Sequence, residues 1–148
     1  MRAIEGIRRS GVAIAPDRTM QEAAEIMERS GVGALAVVDG DELVGIVTDR
    51  DLVRRGLAKG LELDARVDGM MSSPVVTIDA DADLRAAYAL FRSNAVRRLA
   101  IVDGGRFAGV VAIDDLLINL AADLSDLVRP VTAETIIGHR DAPVPATI

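Results

Sequence analysis

A hydroxyl and a carboxylate stand three residues apart at Thr48 and Asp51, directly after the apolar residues 43–47. Such a run predicts a strand that ends at Thr48 and a helix that begins at the next residue. At this junction the Thr48 hydroxyl and unpaired N–H groups of the first helical turn can hold a phosphate. A carboxylate one turn further on can accept hydrogen bonds from both hydroxyls of a ribose. This arrangement has groups that could bind a phosphate and a ribose, with Ile46 as an apolar wall and Gly45 permitting close approach of backbone.

The same two residues also have a purely structural interpretation. Thr48-x-x-Asp51 is a helix-capping box, in which each side chain bonds the backbone N–H of the other residue. A cap of this kind stabilises a helix start by about 1 kcal/mol. Capping and ligand binding can coexist, so the sequence leaves both interpretations open.

The sequence lacks the residues that several other kinds of functional site require. The 148-residue chain has no cysteine and a single histidine, His139, which argues against thiolate or histidine-rich metal sites and against a Ser-His-Asp triad. A net charge of -6 without a basic stripe disfavours nucleic acid. No apolar run approaches the ~20 residues that cross a bilayer, and residues 1–5 lack the apolar segment of a signal peptide. We expect a soluble cytoplasmic protein with no membrane contact, no catalytic residue, no metal and no required cofactor.

One half of the chain superimposes on the other by a single shift of 64 positions, without gaps. The shift pairs Asp39-Gly40 with Asp103-Gly104, and dipeptides of this type form tight turns between strands. The other matches are mainly apolar residues or glycine: Val12/Val76, Ile14/Ile78, Ala23/Ala87, Val32/Val96, Leu35/Leu99, Val38/Val102, Gly45/Gly109, Val47/Val111 and Asp51/Asp115. Shared core and turn positions of this kind predict one folding unit built twice.

Each copy predicts the element order β-α-β-β-α. In the first copy a short apolar run at residues 11–14 precedes a helix, which Thr19 caps with Glu22. A nearly continuous apolar strand at 34–38, the Asp-Gly turn and a return strand at 43–47 follow, and a last helix begins near Asp49. Half of the residues are hydrophobic and only 2% are aromatic, so the core must be aliphatic. The predicted class is α/β (α+β), with two tandem repeats.

We divide the chain into two domains and a tail. The first domain spans residues 1–62 with an N-terminal lead-in segment, and the second spans 63–128 with the linker, in which 65–71 predicts a helical turn. From about Arg129 onward the chain has three prolines and little periodicity. We therefore expect a C-terminal tail at 129–148, partly disordered or docked on a partner.

The tandem repeat resembles the CBS-domain family. Residues 45–51, Gly-Ile-Val-Thr-Asp-Arg-Asp, fit the family's nucleotide motif Gly-h-x-Thr-x-x-Asp, where h is apolar. Residues 71–78 and 96–103 are similar to the family's repeat openings and central strands. The resemblance covers about residues 8–128 and leaves the tail outside.

Membership would imply a Bateman module, in which two CBS domains pack with pseudo-two-fold symmetry and leave two clefts between them. Each cleft would hold AMP, ADP, ATP or S-adenosylmethionine, and modules of this family usually pair into homodimers. The resemblance places Arg97 and Arg98 against the phosphates, a role that suits the bidentate guanidinium group. From the sequence alone, the pair could equally be solvated charges at the start of a strand. It also adds Asp49, Ile78 and Asp115 to the expected nucleotide-binding residues.

The two clefts are not expected to be equal. The second copy keeps an aspartate at Asp115 but has Ala112 where the first has Thr48, which removes one hydroxyl. It also has Asp114 where the first copy has an arginine, which disfavours phosphate. Gly33-Ala34, in turn, stand in the first copy where the second has its arginine pair. We expect one strong site in the first copy's motif and a weak or empty one around Asp115.

Three functions compete. The leading hypothesis is a regulatory module that senses an adenosine nucleotide and modulates an unidentified partner protein. The alternative is a ligand-free scaffold for dimerisation or assembly, in which the cleft is vestigial. An enzyme is the least favoured, because no positioned His, Cys or other nucleophile accompanies Asp49, Asp51, Asp114 and Asp115.

Overall fold

The chain alternates short strands and helices in the order that the repeat predicts. A computed structural model describes the backbone of residues 4–141 and the side chains of residues 4–131. The strands are β1 (Ala13–Ile14), β2 (Ala34–Asp39), β3 (Glu42–Thr48), β4 (Thr77–Asp79), β5 (Arg98–Asp103) and β6 (Arg106–Ala112). The helices are α1 (Met20–Ser30), α2 (Asp49–Asp51), α3 (Leu84–Asn94) and α4 (Ile113–Asp141), with 3₁₀ turns at Ile4–Gly6 and Val67–Gly69. The predicted mixed class is confirmed.

The six strands form a sheet in the order β1-β2-β3-β6-β5-β4. In the first half, β1 runs parallel to β2, and β2 pairs antiparallel with β3. In the second half, β4 runs parallel to β5, and β5 pairs antiparallel with β6. The registers obey the 64-residue shift, since Ala34 pairs with Thr48 and Arg98 pairs with Ala112. The halves meet where Glu42 pairs with Arg106. The sequence repeat is therefore a structural repeat with local two-fold character.

The two long repeat helices bury matching faces. Met20, Ala23 and Met27 of α1 are buried, and so are their shifted counterparts Leu84, Ala87 and Phe91 of α3. Thr19 caps α1 with Glu22 in the expected capping box. Because 3.6 residues make one turn, this spacing points three side chains at the sheet, where Leu35, Val37 and Val47 complete an aliphatic core.

The last helix of the first repeat is short and irregular. After α2 the chain continues as a π-helical segment, Leu52–Gly56, and a 3₁₀ turn, Leu57–Lys59. A Cβ at the buried Gly56 would overlap the sulfur of Met20 and lie 2.8 Å from that of Met70. The regular helix predicted from Asp49 therefore ends after Asp51, and the segment that follows packs Gly56 against α1 and the linker.

The linker forms the expected helical turn, at Val67–Gly69, and buries Val67 and Met70. Beside it, Arg66 and Asp68 form an ion pair of 2.7 Å. The hydrogen bond and charge of Asp68 raise the pKa of Arg66.

The chain separates into two compact units, the first ending at Ile113 and the second beginning at Asp114. Nearly all of α4 lies in the second unit. The helix runs on to Asp141, whereas we expected an irregular tail from about Arg129. Helical apolar spacing persists to Val131, and Pro130 lies inside the helix although it cannot donate a backbone hydrogen bond. Pro143 and Pro145 lie outside the described residues, and the domain boundaries stay a prediction. Within the part of the chain that the structure describes, no helix has the length and apolar character to cross a membrane.

Candidate functional site

A cavity of ≈ 420 Å³ opens in the first unit, where the two repeats meet. Its polar lining consists of Thr48, Asp49, Arg50, Asp51, Ser72, Arg97 and Arg98. Its apolar lining consists of Ile46, Pro74, Val75, Val76 and Val96. A volume of this size is typical of small-molecule sites. The first repeat thus contributes the β3–α2 junction, and the linker and second repeat contribute the opposite wall.

The linker reaches this wall through a short backbone bridge. Ile46 N–H donates to the carbonyl of Ser72 (3.1 Å), and Ser72 N–H donates to the carbonyl of Ile46 (2.8 Å). Gly45 makes the bridge possible, because a Cβ there would overlap the Met71 sulfur and lie 3.1 Å from the Ser72 carbonyl oxygen. The close approach at Gly45 is therefore between two segments of the chain.

Thr48 and Asp51 form a complete capping box. Thr48 N–H donates to Asp51 Oδ2 (2.9 Å), and Asp51 N–H donates to Thr48 Oγ1 (3.1 Å). The other two N–H groups of this turn are also occupied: Asp49 N–H donates to the Gly33 carbonyl (2.9 Å) and Arg50 N–H to Asp49 Oδ1 (2.8 Å). The expectation of unpaired N–H groups for a phosphate is wrong, because side chains and the neighbouring loop already bind them.

Hydrogen-bonding capacity nevertheless remains at both residues. The Thr48 oxygen accepts one bond but still has its own proton to donate, and a carboxylate has about four acceptor positions. Asp51 Oδ1 faces the guanidinium of Arg55, with Nε 3.8 Å away. Arg55 Nη1 also donates to the carbonyls of Met70 (3.3 Å) and Met71 (3.1 Å), so it links the Asp51 carboxylate to the linker.

The cavity carries more positive than negative charge. Three arginines, Arg50, Arg97 and Arg98, line it together with two carboxylates, Asp49 and Asp51. This excess occurs in a chain with a net charge of -6. Because arginine binds phosphate oxygens with paired N–H groups, the local charge suits an anionic ligand.

Most of the predicted residues gather here. Ile46, Thr48, Asp49, Asp51, Arg97 and Arg98 line the cavity, and Gly45 supports its wall. Ile78 instead lies in the core, 5% exposed, paired beside Ile101. Asp115 belongs to the first turn of α4, in the second compact unit.

Sequence reasoning missed several lining residues. The sequence places four of them in a repeat opening, and nothing in their residue types indicates that a backbone bridge brings them to the site: Ser72, Pro74, Val75 and Val76. Arg50 was recognised only by contrast with Asp114. The repeat is visible in these backbone contacts only once the structure is known: the shift pairs Asp49–Gly33 with Ile113–Arg97, and in each pair the N–H of the first residue donates to the carbonyl of the second at 2.9 Å.

Comparison with known proteins decides the family. The CBS domain profile matches the chain twice, at residues 4–58 and 67–122. The chain belongs to the CBS-domain family. The predicted tandem CBS pair is thereby confirmed.

Two curated proteins illustrate this relationship. The chain is 38% identical over 106 residues to the CBS domain-containing protein YhcV of Bacillus subtilis, covering 72% of this chain and 76% of that protein. It is 30% identical over 123 residues to Hypoxic response protein 1 of Mycobacterium tuberculosis, covering 81% and 86%.

One similar solved CBS structure contains a bound ligand. CBS domain protein PAE2072 from Pyrobaculum aerophilum, complexed with AMP, superimposes with a TM-score of 0.69 at 25% identity, covering 82% of this chain and 99% of that one. Among the residues described for the present chain, no group of three or more His, Cys, Asp or Glu side chains could hold a metal ion.

Proposed function

We propose that this CBS pair is a regulatory module that binds an adenosine nucleotide in the cavity beside Thr48 and Asp51. The observation that carries the proposal is a cavity of ≈ 420 Å³ whose lining combines three arginines with carboxylates, a hydroxyl and an apolar wall. These groups match the phosphate, ribose and base of a nucleotide. The AMP complex of PAE2072 supports the same ligand class.

Each part of the ligand has a partner on the cavity wall. Arg97 and Arg98, together with Arg50, bind the phosphate, since the first-turn N–H groups are occupied. Asp51 Oδ1 accepts hydrogen bonds from the ribose, while Oδ2 stays in the capping box. Ile46 and the valines of the opposite wall enclose the adenine. The ligand is AMP, ADP or ATP, or S-adenosylmethionine, whose sulfonium charge fits the arginines less well.

Binding would regulate by changing the relative orientation of the repeats, because the cavity takes its walls from both. A ligand that prefers one orientation shifts the equilibrium by its difference in affinity for the two. The regulated protein is an unidentified partner, and the module acts as a homodimer. A cytoplasmic location stays a prediction.

The scaffold hypothesis has one specific observation in its favour. Both Thr48 and Asp51 are already engaged in a cap, so their presence requires no ligand. In this alternative the pair serves only to assemble with other chains. An enzymatic role is disfavoured, because none of the lining residues of this cavity is a histidine or a cysteine.

Thermal unfolding with added ligands separates the two hypotheses. A ligand at one hundred times its dissociation constant stabilises the fold by roughly 2.7 kcal/mol, which corresponds to a rise in Tm of about 10 °C. We expect such a rise with at least one of AMP, ADP, ATP and S-adenosylmethionine, and none with inorganic phosphate at the same concentration.

Two variants make this experiment specific. Asp51→Ala should abolish the rise, whereas Glu22→Ala, which removes the equivalent carboxylate of the other capping box, should keep it. If none of these four ligands raises the Tm of the unaltered protein, the result refutes the proposal and favours the scaffold hypothesis.

A further inference from the structure

An exposed apolar stripe runs along α4. Leu117, Leu120, Leu124, Leu127 and Val131 are between 39% and 70% exposed. They follow one another at intervals of three, four, three and four residues. This is the heptad spacing of positions a and d, which lie on one side of a helix and pack against a second helix. We call these five residues the heptad stripe.

The stripe extends beyond the CBS match. Leu124, Leu127 and Val131 follow residue 122, where the second matched segment ends. The family match therefore does not cover these three residues. Large apolar side chains that are contiguous and exposed mark an interaction surface.

We propose that the heptad stripe pairs with the same stripe of a second copy of this chain, as a parallel two-helix contact. The proposal rests on the homodimer included in the proposed function and specifies its surface. A second copy presents the same spacing, so that each side chain of the stripe can enter a gap on the other helix.

The charges beside the stripe favour the parallel orientation. With Leu117 at position a, Asp123 occupies position g and Val128 occupies position e. In a parallel pair g faces e of the other helix, so Asp123 lies against Val128 of the second copy. An antiparallel pair brings g against g, and the two Asp123 carboxylates would repel each other in the register that covers residues 117–127.

The acidic character of the helix argues against a membrane as the occupant. The described side chains of α4 include Asp114, Asp115, Asp123 and Asp126 but one cation, Arg129. Helices that lie on anionic lipid have basic polar faces. A protein helix is thus the better match for this surface.

The area suits a reversible dimer. The stripe and Val128 contribute six side chains per copy, each burying on the order of 100 Å² of apolar surface. The total is on the order of 1,000 Å², the lower limit for a specific interface. We therefore expect a dimer that dissociates on dilution.

Sedimentation velocity over a range of protein concentrations tests the proposal. The unaltered chain should shift from monomer to dimer as its concentration rises, and the double variant Leu124→Glu/Leu127→Glu should stay monomeric. Ile118→Glu is the matched control, because it places the same charge on an exposed residue of the same helix outside the stripe. That control should dimerise like the unaltered chain.

A cysteine crosslink tests the orientation. The chain has no cysteine, so Leu124→Cys introduces a unique thiol. Position a faces position a in a parallel pair, and oxidation should therefore link two Leu124→Cys chains, whereas Ile118→Cys chains should stay unlinked.

The dimerisation measurement can be interpreted independently of nucleotide binding. A chain that is monomeric at every concentration would overturn the proposal, and so would a double variant that dimerises normally. Circular dichroism verifies that the variants are folded. The thermal shift with AMP should persist in the monomeric double variant, so loss of dimerisation and loss of the proposed function are measured separately.

Discussion

The two capping boxes of this protein permit a matched test of Thr48. At α1, Thr19 N–H donates to Glu22 Oε2 (2.9 Å) and Glu22 N–H donates to Thr19 Oγ1 (3.1 Å). These are the distances found between Thr48 and Asp51. The first box has no part in the cavity proposed to bind nucleotide, so Thr19→Ala measures the cap alone, and Thr48→Ala measures the cap and any ligand contact.

Both substitutions should destabilise the fold to a similar extent. Loss of a threonine cap costs about 1 kcal/mol, which in a chain of this length lowers the Tm by about 4 °C. Only Thr48→Ala should also weaken AMP binding. The loss of one hydrogen bond from the hydroxyl, about 1 kcal/mol, corresponds to a roughly fivefold rise in Kd, and to more if the acceptor is a charged phosphate.

Urea unfolding and isothermal titration calorimetry measure the two effects. Equal losses of stability with unchanged AMP affinity in both variants would show that Thr48 is a cap and nothing more. A rise in Kd for Thr19→Ala as large as for Thr48→Ala would trace the effect to general destabilisation.

Three further predictions concern the remaining charges. Arg98→Ala should raise the Kd for AMP by roughly 10- to 150-fold and weaken its salt dependence, because a charge-assisted bond contributes ~1.5–3 kcal/mol. Arg106→Ala, which removes an exposed ion pair, should leave the Kd unchanged and cost less than about 1 kcal/mol of stability. Arg55→Met should alter the Kd for AMP more than that for 2′,3′-dideoxy-AMP, since Arg55 lies beside the carboxylate assigned to the ribose, and Arg54→Met should alter neither; equal effects on both ligands would contradict that assignment. Calorimetry should give one strong site per chain, and Asp115→Ala should leave it intact; two equal sites would refute the predicted asymmetry.

The repeat made the fold predictable to a large extent. A gapless shift of 64 residues relates the strand registers, the buried faces of α1 and α3 and the tight turns, where Gly40 and Gly104 adopt φ values of 64° and 56°. Turn residues and apolar periodicity are local properties, so they can be read from one sequence. The capping boxes at Thr19 and Thr48 were predicted for the same reason.

Features that depend on tertiary contacts were not predicted. The π-helical segment ends at Gly56, which packs against two methionines that are distant in sequence. The cavity wall at Ser72 is held by two backbone hydrogen bonds between Ser72 and Ile46, in a segment of otherwise irregular backbone. The N–H groups at the start of α2 were expected to be unpaired because no sequence pattern reveals that the Gly33 carbonyl approaches Asp49.

A crystal structure of the protein with AMP tests the central claim most directly. The account predicts density for one nucleotide per chain, with its ribose within hydrogen-bonding distance of Asp51 Oδ1 and its phosphate against Arg97 or Arg98. A nucleotide bound elsewhere on the chain, or a cavity that holds only solvent at saturating AMP, would contradict it.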